Sequence, residues 1–177
     1  MAPDPEQAGF LSFADVAVGT AARRLPEVDR DAMAMVLLLH RVASTVVYDL
    51  ESRVHRPAGW SWSAFRLLFT LWVSGPAEPG RAAELAGMSR AAVSSLTKTL
   101  SASGLLSRTP NDRDRRGAVL ALTARGTAAL EEAFRAHNAR ETQWAGLLTA
   151  DELATLTGLL RKLATSAQER DWVAHRA

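Results

Sequence analysis

The sequence predicts a mainly α-helical protein with one small β-hairpin, arranged as a winged helix-turn-helix with long helices on either side. Three observations carry this. Residues 83–100 hold a helix-turn-helix pattern: a small residue at Ala83, a turn at Gly87 and apolar anchors at Val93, Leu96 and Leu100. Residues 108–123 then read as two short strands around a tip carrying Arg113, Arg115 and Arg116, with Asp112 and Asp114 between them. Flanking segments repeat apolar residues at alternating spacings of three and four, the period of an amphipathic helix.

Taken in order, residues 1–30 form a leader in which Phe10, Leu11, Phe13, Val16 and Ala17 suit one short amphipathic helix, ended before Pro26. A long helix is expected over 31–56, stopping at Pro57-Ala58-Gly59. Met33, Val36, His40, Ala43, Val47, Leu50 and Val54 form one apolar line on it, and Met35, Leu39, Val42 and Val46 a second. So wide an apolar surface calls for two neighbours, such as its own core and a partner subunit.

Ser61 is placed to cap the next helix, which carries Phe65, Leu68, Phe69 and Trp72 and ends at Ser74-Gly75-Pro76. A short helix over about 81–86 is broken by Gly87, and Ser89 caps another that runs to about Ser103. Gly104 supplies the left-handed residue after that helix, with Leu105 as its apolar contact. After the hairpin, Thr123 caps a long helix bearing Leu130, Phe134, His137, Trp144 and Leu148. Thr149 and Glu152 make a capping box for a last helix with Leu153, Leu156, Leu160 and Leu163.

At 177 residues with a net charge of +2, the chain is long enough to bury a core but does not announce a polyanion partner by overall charge. The charge is local: five Arg against two Asp lie between Arg108 and Arg125, the footprint of a phosphate-facing surface. The absence of cysteine excludes disulfides, thiolate metal sites and thiol redox sensing. No basic leader typical of secretion and no contiguous apolar run of spanning length is present, so a cytoplasmic protein with no membrane partner is expected. There is no glycine-rich phosphate loop or recognisable catalytic set, and His40, His55, His137 and His175 show no metal-type spacing. Neither catalysis, a metal nor a cofactor is expected.

On the helix after Gly87, Ser89, Arg90, Ala91, Ser94, Ser95 and Lys98 lie opposite the apolar anchors. Small residues allow close approach to base edges in a major groove, and Arg90 and Lys98 reach guanines or phosphates. In the hairpin, Asp114 is spaced to hold an Arg extended by a charge-assisted pair, a geometry suited to the minor groove. Arg108 adds charge to the first strand. Duplex DNA is the expected partner. A winged helix serving only protein–protein contact or dimerisation is the competing reading.

These motifs resemble the MarR family of bacterial transcriptional regulators. Asp114-Arg115-Arg116, Val119, Leu122-Thr123, Gly126 and Leu130 match that family's wing and following helix start. Glu84-Leu85-Ala86, Ser89-Arg90 and Gly104-Leu105-Leu106 match its helix-turn-helix region. The resemblance implies a homodimer whose N- and C-terminal dimerisation helices (31–58 and 124–177) interlock, with the winged region at 59–123 on a pseudo-palindromic operator. It implies that Arg116 enters the minor groove and that Asp114 orients it. Two departures stand out: Ala64 replaces the Gln that would complete a capping box after Ser61, and the first short strand, expected near Arg81-Ala82, is weak.

Many members of that family release DNA on binding a small ligand. The corresponding segment here holds Trp60, Trp62, Arg66, Phe69 and Trp72, with His40 on the preceding helix. Trp62, Arg66 and Phe69 are spaced to share a helix face, so that Arg66 stacks beside an indole and receives an anionic aromatic or lipophilic carboxylate. The alternative is that the aromatics are plain core and Arg66 is surface-exposed or salt-bridged.

Overall fold

The computed structural model describes residues 10–110 and 118–172. Its chain divides into two compact units, residues 1–49 and residues 50–177.

The first unit holds α1 (Phe10–Arg24) and most of α2 (Arg30–Leu50). The leader therefore does contain a helix, which ends ahead of Pro26 as the missing proline N–H requires. Ala14 is buried, and the Arg41 guanidinium lies 5.0 Å over the ring of Phe13. Asp29 caps α2, accepting from the Ala32 N–H at 2.9 Å. Met35, Val36, Leu39 and Val42 stay exposed, so the expected apolar lines are present and uncovered.

The long helix differs from expectation in two ways. α2 gives way at Leu50 to a π turn, Glu51–His55, in which the Arg56 N–H bonds to Glu51 O at 2.8 Å. The wider turn holds one more residue than an α turn and re-aims the chain beyond it, which spacing rules for a regular helix do not foresee. Secondly, helical residues from Arg30 to His55 have a window of mean hydropathy 1.4, long and apolar enough to cross a membrane by composition. His40 and Arg41, then Ser44 and Thr45, interrupt its apolar residues, so no contiguous run reveals that length.

The second unit is built around α3 (Trp62–Ser74), α4 (Pro79–Ala86), α5 (Arg90–Ala102), β1 (Leu106–Pro110), β2 (Ala118–Leu122), α6 (Ala124–Ala145) and α7 (Ala150–Glu169). The strands pair antiparallel with Leu106 opposite Leu122 and Arg108 opposite Leu120. A further bridge joins Ala77 to Leu120. The short strand expected near Arg81-Ala82 is thus displaced. Pro79 starts a helix with its φ already set, so 81–82 are helical and the extended residue is Ala77.

Leu67 and Leu68 of α3, Val93 of α5, Leu120 of β2 and Leu130 of α6 are fully buried at the centre of one core. Each such side chain contributes about 1.5–3 kcal/mol through burial. Around them lie Ala82, Ala83 and Ala86, whose small side chains let α4 approach α3 and α5 closely. The base of the wing is tied in by Thr123. Its hydroxyl donates to Gly104 O at 2.7 Å and accepts from the Gly126 N–H at 2.9 Å, capping α6 while holding the end of α5.

α7 stands apart from this core. The capping box is complete, with the Glu152 carboxylate accepting from the Thr149 N–H at 2.9 Å. No residue of the helix is buried, and Leu153, Leu156, Leu160 and Leu163 form an exposed line along it.

Candidate nucleic-acid interface and the adjoining pocket

The turn between α4 and α5 is built by backbone geometry. Gly87 has φ 60°, and the N–H groups of Gly87 and Met88 bond to Glu84 O and Ala83 O at 3.1 and 2.9 Å. That pattern satisfies the last carbonyls of α4 and needs a left-handed residue at Gly87. Met88 then tucks into the core, and Ser89 opens α5 by accepting from the Ala92 N–H at 3.2 Å. The far end repeats the device. Gly104, at φ 71°, donates to Ser101 O, and Leu105 donates to Leu100 O at 2.9 Å.

Held at both ends, α5 buries Val93, Thr97 and Leu100. Ser89, Arg90, Ala91, Ser94, Ser95 and Lys98 are all exposed, so the structure places every residue of the expected reading face on the solvent side. Arg108 is exposed on β1. Arg113, Asp114, Arg115 and Arg116 lie outside the described residues.

A cavity of about 560 Å³ opens between α3, α4 and α6. Trp62, Phe65, Arg66, Phe69, Phe134 and His137 line it, with Glu141. The structure thus brings together Trp62, Arg66 and Phe69 from the expected ligand set. It does not bring Trp60, which is buried in the core and borders a separate cavity of about 420 Å³. His40 is exposed on α2 in the first unit. Arg66 is half-buried, and its guanidinium donates to Ala86 O and Gly87 O at the C-terminal end of α4. A cation there complements the helix dipole and fastens α3 to the turn.

Two residues that sequence reasoning did not pair meet behind this cavity. His55 Nε2 lies 3.1 Å from His137 Nδ1, and both side chains are buried. His137 Nε2 lies 3.1 Å from Glu141 Oε1, and Asn138 donates to the other Glu141 oxygen at 3.0 Å. The imidazole of His55 stacks on Phe65 at 4.1 Å, and His137 on Phe65 at 4.6 Å. Burial first, and the neighbouring His137 second, push His55 down from 6.5 to about 4. The i, i+4 spacing of His137 and Glu141 was a usable signal, whereas the partnership with His55 depends on the π turn.

A helix-turn-helix with a two-stranded wing, presenting a small-residue face and basic side chains, defines a winged helix-turn-helix DNA-binding protein. Comparison with known proteins agrees. The MarR family profile matches residues 60–117. The uncharacterized HTH-type transcriptional regulator YwaE of Bacillus subtilis (strain 168) is 36% identical over 134 residues, 76% of this chain and 78% of its own length. Wild-type MarR from E. coli, in its apo form, superposes with a TM-score of 0.64 at 26% identity over 71% of this chain and 93% of that one. A mutant MarR from E. coli complexed with operator DNA shares the fold, with a TM-score of 0.68 at 24% identity over 81% of this chain and 96% of its own. The chain belongs to the MarR family of transcriptional regulators.

Proposed function

We propose that the protein works as a homodimeric repressor on a pseudo-palindromic operator and is released from it by a small aromatic ligand. The observation that carries the DNA reading is the α5 face. Ser89, Arg90, Ala91, Ser94, Ser95 and Lys98 all stand exposed on one helix whose opposite side is locked into the core. In this reading that face enters the major groove, where small side chains permit close approach and Arg90 and Lys98 supply charge. Arg108, Arg113, Arg115 and Arg116 serve the wing, with Asp114 orienting Arg116 into the minor groove. The operator-bound form of the related E. coli MarR supports the same use of the fold.

Dimerisation is supported by apolar surface left uncovered on both terminal regions: Met35, Val36, Leu39 and Val42 on α2, and Leu153, Leu156, Leu160 and Leu163 on α7. Patches of this extent are rare on soluble monomers. Residues 31–58 and 124–177 therefore form the dimerisation region in this reading, 59–123 the reading head and 1–30 an accessory leader. A second copy, rather than a lipid bilayer, covers the long helix, and the protein acts in the cytoplasm without catalysing a reaction.

The ligand site in this reading is the cavity walled by Trp62, Arg66 and Phe69, whose aromatic and aliphatic side chains are joined by the polar groups of Arg66, His137 and Glu141. The test uses full-length protein and a duplex drawn from the DNA upstream of its own gene. A two-fold-symmetric footprint is expected, with half-sites about 10 base pairs apart centre to centre. Arg116→Glu should weaken binding to every duplex and flatten its salt dependence. An asymmetric footprint, or an unchanged salt slope in the variant, refutes the assignment.

A further inference from the structure

The chain His55–His137–Glu141 lies away from the exposed face of α5, and with a neutral His137 its hydrogen bonds have one consistent direction. A carboxylate accepts, so Nε2 of His137 carries the hydrogen in the 3.1 Å contact with Glu141. A neutral His137 then offers a bare Nδ1. The second 3.1 Å bond must be donated by Nε2–H of His55. This leaves His55 Nδ1 as a lone pair, and that atom is buried without a partner. A buried bare acceptor is the more tolerable orphan, since an unmatched buried N–H is rarer in folded proteins.

One added proton overturns the arrangement. An imidazolium at His137 donates from both nitrogens, so its Nδ1–H now points at a nitrogen that is itself a donor. Either two N–H groups face each other at 3.1 Å, or the hydrogen of His55 moves to Nδ1, so that Nε2 accepts from His137 while the new N–H meets no acceptor among the described residues. Both outcomes leave a buried N–H unmatched where the π turn meets α6.

We propose that His55, His137 and Glu141 form a proton-operated switch at the junction of the π turn with α6, and that one proton taken up in mild acid reverses the His55–His137 bond, strands the displaced N–H of His55 and weakens DNA binding. Burial disfavours a charge on His55 itself. His137 also lines the cavity, so the switch sits where a bound ligand would touch it. The ionisable groups on the elements around it are distributed as follows. On the π turn, Glu51 and Arg56 pair at 3.5 Å beside Arg53; on α3, Arg66 is committed to the α4 carbonyls; on α6, Arg140 and Glu141 flank the site. Glu141 is in direct contact with His137, so a carboxylate faces the ring that takes up the charge.

The test has two arms on the full-length protein. Nitrogen NMR of the histidine rings, from about pH 8 to about pH 5, reads tautomer and charge directly. At the upper end both His55 and His137 should carry hydrogen on Nε2. On acidification, His137 should become imidazolium and His55 should change tautomer in the same step. Glu141→Gln should move that step to lower pH. In the second arm, affinity for a duplex from upstream of the protein's own gene should fall at least about tenfold over the same range, against the usual gain when a protein acquires positive charge near DNA. His55→Phe, which keeps the aromatic stack, should flatten that dependence. A His55 that carries Nδ1–H at the upper pH, or affinity that rises in acid, overturns the switch. Failure to bind any duplex at either pH, with the coupled tautomer change intact, overturns the link to DNA and with it the DNA interface itself.

Discussion

Gly126 lies so close to Leu105 that a Cβ at position 126 would sit 2.0 Å from the Leu105 carbonyl oxygen and 2.9 Å from its carbon. Both obstructing atoms are backbone, at the point where α5 hands over to the wing and the first turn of α6 crosses it. The same Leu105 carbonyl accepts from the Thr123 N–H at 3.1 Å, so it has little freedom to retreat. Gly126→Ala should therefore cost about 3 kcal/mol, at the upper end for overpacking. Gly158 in α7, where an added Cβ meets nothing within 4 Å, is the contrasting case. Gly158→Ala should stabilise by about 0.5–1 kcal/mol by stiffening the unfolded chain. Urea unfolding at matched protomer concentration measures both, and equal effects would contradict the packing argument.

Arg66 joins α3 to the last carbonyls of α4, Ala86 O and Gly87 O. Arg66→Met keeps the apolar stem and removes the charged donor. Stability should drop by about 1–2 kcal/mol, the worth of a charge-assisted bond at a helix C-terminus. Thermal unfolding reads the loss, and a variant as stable as the parent would show the contact to be idle.

Leu156 and Leu160 stand on the exposed line of α7. Placing Glu at both should convert the proposed dimer to a monomer without unfolding the core, since neither residue is buried in the protomer. Light scattering gives the mass and circular dichroism the helix content. A dimer that survives both substitutions would put its interface elsewhere.

His55 also makes stability depend on pH. Its folded value of about 4 lies below the unfolded 6.5, so the unfolded chain binds the proton more readily between them. The contribution is complete above pH 6.5 and is lost as pH falls toward 4. The full span is roughly 3 kcal/mol. Urea midpoints on either side of this window should differ in the parent and differ less in His55→Phe. A parent whose midpoint rises on acidification would reverse the sign and defeat the argument.

Much of the fold was legible because its signals are local. Ser61, Ser89, Thr123 and Thr149 each cap the next helix, and each does so through a hydroxyl and an N–H three residues on. Gly87 and Gly104 were equally readable, since a left-handed residue after a helix is a backbone demand. The exposed face of α5 followed from period alone. The features that escaped were set by distant partners. Trp60 and Trp62 are two residues apart in an aromatic segment, yet one entered the core and the other the cavity wall. Arg66 reached backbone carbonyls twenty residues away, a partnership no spacing on its own helix encodes. His55 reached His137 only because a π turn re-aimed it, and no periodicity encodes such a turn.

The bridge between Ala77 and Leu120 consists of two backbone bonds, 3.0 Å in one direction and 2.8 Å in the other. It stitches the return strand of the wing to the segment that leads into α4, joining helix-turn-helix and strand into a single plate. In the proposed dimer, two such plates would each stay shaped to grip, and release by the proposed ligand would be felt as a misfit of spacing between them.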